Sequence, residues 1–136
     1  MLFRSIAIDT TQATAANRAK FYVNGSQVTS FSTATYPSQN SNLNGINQTV
    51  AQGIGQDIVG LGYFDGYLAE INFIDGQQLT PSSFGQTSST TGVWQPIKYS
   101  GTYGTNGFYL PFTDNSGLTT ASNTGIGKDF SGNGNY

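Results

Sequence analysis

Phe64-Asp65-Gly66-Tyr67-Leu68-Ala69-Glu70-Ile71-Asn72-Phe73-Ile74-Asp75-Gly76 is the stretch whose reading decides the fold. Asp65-Gly66 and Asp75-Gly76 are turn dipeptides, because Gly reaches φ > 0 without a Cβ clash and Asp tolerates left-handed backbone. Between them Tyr67, Ala69, Ile71 and Phe73 share one parity and make an apolar face. Leu68, Glu70, Asn72 and Ile74 make a mixed one. Period 2 bounded by turns predicts a half-buried antiparallel strand. The continuation through residue 85 predicts a short helical turn. Thr80 stands at the N-cap, Pro81 at the first helical position and Gly85 where a C′ glycine belongs.

Upstream, Leu2, Ile6 and Ile8 share a parity interrupted by Arg4, which predicts a strand over residues 2–10. Residues 10–17 are polar and Ala-rich and read as a loop with a helical turn. Ala19, Phe21 and Val23 alternate with Lys20 and Tyr22, then Asn24-Gly25 intervenes before a second run over 27–31. Asn-Gly between two such runs predicts a type I′ hairpin, which needs φ > 0 at both central residues. Residues 35–48 form a long Asn-rich loop, and loops of this length often carry function. A short strand is expected over 49–56, where Gly53 and Gly55 point to a bulge or a close approach.

Downstream, residues 86–92 are Ser/Thr-rich and read as a linker. Val93 to Ile97 is extended, with Pro96 restricting it to an edge or a connector. Phe108, Leu110 and Phe112 give a strand with one aromatic face, and residues 114–127 read as loop. The chain opens abruptly on Leu2-Phe3 and stops within a turn cluster at residues 129–136. Either it starts inside a domain or its first strand is docked from the start.

At 136 residues there is room for about one ordinary domain with a real core. Charged residues are only 9 % and glycines number 18, the profile of an all-β chain with many turns. Eight Tyr, nine Phe and Trp94 argue against disorder. With no Cys there is no disulfide framework and no thiolate metal site, and with no His the commonest general base is missing. Arg4, Arg18, Lys20, Lys98 and Lys128 are scattered and make no patch for a phosphate backbone, so nucleic acid is not an expected partner. No apolar run is long enough to span a bilayer as a helix, and no signal-peptide pattern opens the chain.

Two segments resemble the laminin-G-like, concanavalin A-like jelly-roll domains. Lys20-Phe21-Tyr22-Val23-Asn24-Gly25 is similar to that family's hairpin, and Phe64-Asp65-Gly66-Tyr67-Leu68-Ala69-Glu70-Ile71 to its penultimate strand, followed by Leu79-Thr80-Pro81. A later echo, Phe108-Tyr109-Leu110-Pro111-Phe112 and then Asp129-Phe130-Ser131-Gly132-Asn133-Gly134-Asn135, is similar to the way such jelly rolls begin. The resemblance implies an antiparallel jelly-roll β-sandwich, incomplete here. Residues 1–85 would be its C-terminal part, 86–104 a connector, and 105–136 the start of a further β module or a return strand. Together with Gly92-Val93-Trp94-Gln95-Pro96, the run resembles tail-fibre and structural proteins of marine bacteriophages. A virion or extracellular location is thereby implied, with a glycan or other virion proteins as partners. The family often carries Asp-Glu where this chain has Ala69-Glu70, so any role of that Asp in binding calcium or orienting a loop is in doubt here.

The jelly-roll fold also hosts glycoside hydrolases, which need two carboxylates about 5–5.5 Å or about 6.5–9.5 Å apart. Glu70 is the only Glu, its same-face neighbours are Leu68 and Asn72, and Asp65 and Asp75 have the opposite parity. Catalysis within these residues is therefore not expected; a hydrolase would need acids outside them. The expectation is a non-catalytic carbohydrate-binding or structural module, with a purely architectural one as the alternative. Tyr22, Tyr36, Tyr63 and Tyr67 are the rings able to stack on sugars, and Tyr36 and Tyr63, next to loops, are preferred. Asn40 and Asn42 supply amides for hydroxyls. Asp129, Ser131, Asn133 and Asn135 place oxygens at alternate positions, a calcium-like arrangement, although Gly132 and Gly134 also explain the segment as a plain turn cluster.

Overall fold

The computed structural model describes residues 2–48, 50, 52–57, 59–60, 62–114, 125 and 127–135. The protein is all-β. Its only helical pieces among the described residues are two 3-10 turns, Ala15–Asn17 and Pro81–Ser83. Among the described residues seven short strands make three small sheets, which by themselves do not show a jelly-roll sandwich. The chain groups into two compact units. Unit 1 is Met1–Leu43 with Gln77–Gly101; unit 2 is Asn44–Gly76 with Thr102–Tyr136. Each unit draws on residues from both sides of the 85/86 boundary.

Unit 1 is built on β1 (Arg4–Ile8), β2 (Ala19–Val23) and β3 (Ser26–Val28), an antiparallel sheet in that spatial order. The hairpin is the one the Asn-Gly pair predicts: φ is 48° at Asn24 and 81° at Gly25. Asn24 also fixes the neighbouring strand. Its Oδ1 accepts from the Phe3 N–H at 3.0 Å, and its own N–H donates to the Phe3 carbonyl at 2.9 Å. Asn24→Ala would remove that acceptor and replace Asn, which tolerates φ > 0, with a residue that tolerates it less well. An expected loss of about 2 kcal/mol is checked by chemical denaturation.

The register Ile6↔Phe21↔Val28 and Arg4↔Val23↔Ser26 puts these side chains on one face, and Ala7 and Tyr22 on the other. Ala7 and Tyr22 are buried, whereas Ile6 is 62 % and Phe21 42 % exposed. The aliphatic face of this sheet is the bare one.

The second sheet of unit 1 pairs β5 (Gly85–Thr87) with β6 (Trp94–Pro96). Thr80 precedes the 3-10 turn in extended conformation with Pro81 first in it, as the sequence predicts. Gly85 differs from its expected role. It opens β5 rather than capping a helix with positive φ, and a Cβ there would stand 2.7 Å from Trp94 Cε2. A Cβ on Gly25 would likewise stand 2.7 Å from Trp94 Cε3. The indole therefore lies against two glycines, one from the β2–β3 hairpin and one from β5, with the Phe3 ring 6.0 Å away. Pro96 sits in a two-stranded sheet, where a missing ladder donor is tolerated.

Unit 2 is centred on β4 (Ile71–Phe73) antiparallel to β7 (Phe108–Leu110). The organising strand is shorter than its alternation predicts. Glu70 adopts φ 57°, which ends the extended run, and Tyr67 is fully exposed rather than half-buried. Gly66 does not take positive φ; a Cβ on it would meet the Phe64 ring at 2.8 Å. Phe112, at φ 56°, ends β7 two residues earlier than expected. Phe108 to Leu110 pairs into a sheet rather than hanging free.

The Phe73 and Phe108 rings stack at 5.4 Å, Tyr103 stacks on Tyr109 at 6.3 Å, and Tyr103 and Leu110 are buried. Of the strand expected over 49–56, Thr49 and Ala51 lie outside the described residues. The remainder forms only an isolated bridge, Gln56 to Tyr63. Most of the loop expected over 114–127, and Tyr136, also lie outside them.

Candidate functional site

Residues 36–42 have no regular structure, yet they are fixed within unit 1 by hydrogen bonds to residues 10–18. The Arg18 guanidinium donates to three carbonyls: Gln12 at 2.8 Å, Ala13 at 2.8 Å and Pro37 at 3.0 Å. Gln39 Nε2 donates to the Thr11 carbonyl at 3.1 Å, and the Asn40 N–H to the Thr10 carbonyl at 2.8 Å. The Ser41 N–H and hydroxyl both return to the Ser38 carbonyl, closing a turn. Asn40 takes φ 58°, a conformation Asn tolerates better than most residues.

The 10–18 side is itself tied. Asp9 accepts from the Thr11 N–H, the Thr11 hydroxyl and Gln12 Nε2. The Gln12 and Thr11 bonds hold its carboxyl below the usual range. The result is a preset loop on which Asn40 and Asn42 are exposed and Tyr36 is half-buried.

Tyr63, the other preferred ring, belongs to unit 2. It is 73 % exposed on a segment folded back on itself by Asp57 N–H to Gly62 carbonyl and Phe64 N–H to Gly55 carbonyl bonds. Residues 62–69 are all exposed. Tyr22 is buried on its sheet face and cannot stack on a sugar without unfolding.

Asp129, Ser131, Asn133 and Asn135 come together in unit 2 around the Asp129 carboxylate. Its Oδ1 accepts from the Tyr109 N–H at 2.9 Å and the Ser131 N–H at 2.8 Å. Its Oδ2 accepts from the Ser131 hydroxyl at 2.8 Å and the Asn135 N–H at 3.0 Å. Burial alone would raise this carboxyl, but those donors outweigh it and hold it below its ordinary value. Asn133 and Asn135 aim their amide nitrogens at the carbonyls of Gly104, Thr105 and Gly107. A hard cation wants free oxygen lone pairs. Here each carboxylate oxygen accepts two hydrogen bonds and both amides donate to backbone carbonyls, a lock joining 129–135 to 104–109. Among the described residues no group of three or more Asp or Glu gathers to hold a metal.

The lone Glu lies elsewhere. Glu70 Oε2 accepts from the Tyr109 hydroxyl at 2.6 Å; burial and then this carboxylate push the phenol well above its ordinary range. The Asn72 amide donates to the Glu70 carbonyl and accepts from the Tyr103 hydroxyl. Two tying residues were not legible as such. Arg18 reads only as one scattered cation, and Asp75 only as half of a turn dipeptide. In the structure Asp75 accepts from Asn47 Nδ2 at 2.7 Å and the Asn106 N–H at 3.2 Å.

No family model, curated protein or solved structure matches this chain.

Proposed function

We propose that this chain is a non-catalytic jelly-roll module of a phage particle, and that its 36–42 loop contacts host-surface glycans. The carrying observation is the preset loop: Arg18, Gln39 and the Asn40 N–H fix its backbone, while Asn40 and Asn42 face solvent beside Tyr36. A surface that needs no ordering on binding loses less entropy when it takes a ligand. Amides that both donate and accept suit vicinal hydroxyls, and a half-exposed ring suits the apolar face of a sugar. Tyr63 is a second stacking ring, carried by unit 2. The phage and jelly-roll parts of the reading rest on the motif resemblance; the all-β architecture and the Asn24-Gly25 hairpin are consistent with them.

A glycan array probed with the folded protein and with Tyr36→Ala and Tyr63→Ala tests this. Saturable binding is expected with a micromolar to millimolar constant, about 4–8 kcal/mol. Tyr36→Ala is expected to weaken it about ten-fold, a loss of about 1.4 kcal/mol, with the fold intact.

The bare face of the β1–β2–β3 sheet favours a second reading, an architectural module without a ligand that holds its neighbours in a particle. No binding to any glycan, with particle assembly failing when the module is deleted, would select it.

A further inference from the structure

The bare sheet face is contiguous: Ile6, Phe21 and Val28 lie in one row across the strands, Val23 beside them, and the Phe31 ring packs edge-on to Phe21 at 6.2 Å. Arg4, exposed, is the charged side chain on it. The two units differ sharply in charge. Unit 1 holds Arg4, Arg18, Lys20 and Lys98 against Asp9, a net +3; unit 2 holds Lys128 against Asp57, Asp65, Glu70, Asp75, Asp114 and Asp129, a net −5. In unit 2, Phe64-Asp65-Gly66-Tyr67-Leu68 is exposed at every residue, with Tyr67 fully so. That segment is apolar, aromatic and acidic, which is what an apolar face bearing a guanidinium would accept.

We propose that the β1–β2–β3 face of one copy receives the 64–68 segment of a second copy of this chain, with Asp65 reaching Arg4. Like-with-like pairing of the sheet face would bring two net-positive units together, whereas face-to-segment pairing joins opposite charges. Phe64, Tyr67 and Leu68 on one side and Ile6, Phe21 and Phe31 on the other bury on the order of a few hundred Å² a side, the scale of a weak interface. The contact is heterologous: once two copies pair, one keeps a free segment and the other a free face, so head-to-tail assembly proceeds past the dimer to rings or fibres.

Sedimentation velocity over a concentration series at low salt, on wild type, Arg4→Glu, Asp65→Lys and the double variant, is the test. Both substituted positions, Arg4 and Asp65, are exposed, and circular dichroism checks that each variant keeps the wild-type spectrum. Wild type is expected to grow beyond a dimer with concentration, less so at high salt. Each single reversal is expected to weaken association more than about ten-fold, and the double variant to restore it. A wild type that stays monomeric throughout would overturn the proposal. So would association that stops at a dimer, or association that survives both single reversals because the sheet face pairs with itself.

Discussion

Trp94→Ala is expected to lower the stability of unit 1 by about 3 kcal/mol, among the largest single effects in the chain. The indole fills the space that Gly25 and Gly85 leave by lacking a Cβ, and it neighbours the Phe3 ring. Removing it strips the hairpin and the β5–β6 sheet of their shared side chain, in a protein with few buried large residues to compensate. The indole Nε1 is buried without a hydrogen-bond partner. Trp94→Phe keeps a ring and sheds that donor, so its loss is expected to be well under half that of alanine. Gly85→Ala attacks the same contact from the other side, because its Cβ would also stand 2.8 Å from the Gln95 carbonyl oxygen. Urea titrations of the three variants check the order: alanine at 94 worst or level with Gly85→Ala, phenylalanine mildest. A Trp94→Ala midpoint equal to wild type would refute the role given to the indole.

Asp129→Ala is the second large expected effect. It removes the acceptor for three backbone N–H groups and one hydroxyl, and the expected cost to unit 2 is about 3 kcal/mol. Asn at the same position keeps one oxygen but turns an NH2 toward donors, so Asp129→Asn is expected to recover less than half of that. The pH dependence has a definite sign. The folded carboxyl titrates below its unfolded value, so the unfolded chain binds the proton more readily. The stabilisation is complete above the ordinary aspartate value, near pH 4, and is lost as pH falls through the lowered folded value. Protection of the Ser131 and Asn135 amides from exchange, taken relative to their intrinsic rates, should therefore fall on acidification below about pH 4 in wild type. In Asp129→Asn it should show no such added step.

Local chemistry was legible in the sequence, and long-range contact was not. Asn24-Gly25 declares its hairpin because the requirement for φ > 0 is met within two residues, and Thr80-Pro81 declares its turn because proline fixes its own φ near the helical value and needs no N–H donor at the first helical position. The alternation over 67–73 is just as regular, yet only Ile71 to Phe73 is strand. β7, the strand that pairs with it, is three residues long, and Glu70 turns left-handed where its carboxylate meets the Tyr109 hydroxyl. Gly85, placed just after a helical turn, points to freedom in φ, whereas its use is the absence of a Cβ beneath an indole nine residues away. Among the site candidates, Tyr36, Asn40 and Asn42 share one loop because they are neighbours in sequence. Nothing local shows that Arg18 fixes that loop. The alternate polar residues of 129–135 are legible as a turn cluster, but their spacing does not reveal that the Asp129 carboxylate accepts from the Tyr109 N–H or that the Asn133 and Asn135 amides donate to the Gly107 carbonyl.

Amide chemical-shift mapping on isotopically labelled protein, titrated with soluble neutral oligosaccharides, tests the recognition reading most directly. Saturable shifts are expected, concentrated at residues 36–42 and at the residues 10–18 that hold them, with smaller ones near Tyr63. A spectrum unmoved at millimolar sugar would contradict it, as would saturable shifts that leave residues 36–42 untouched.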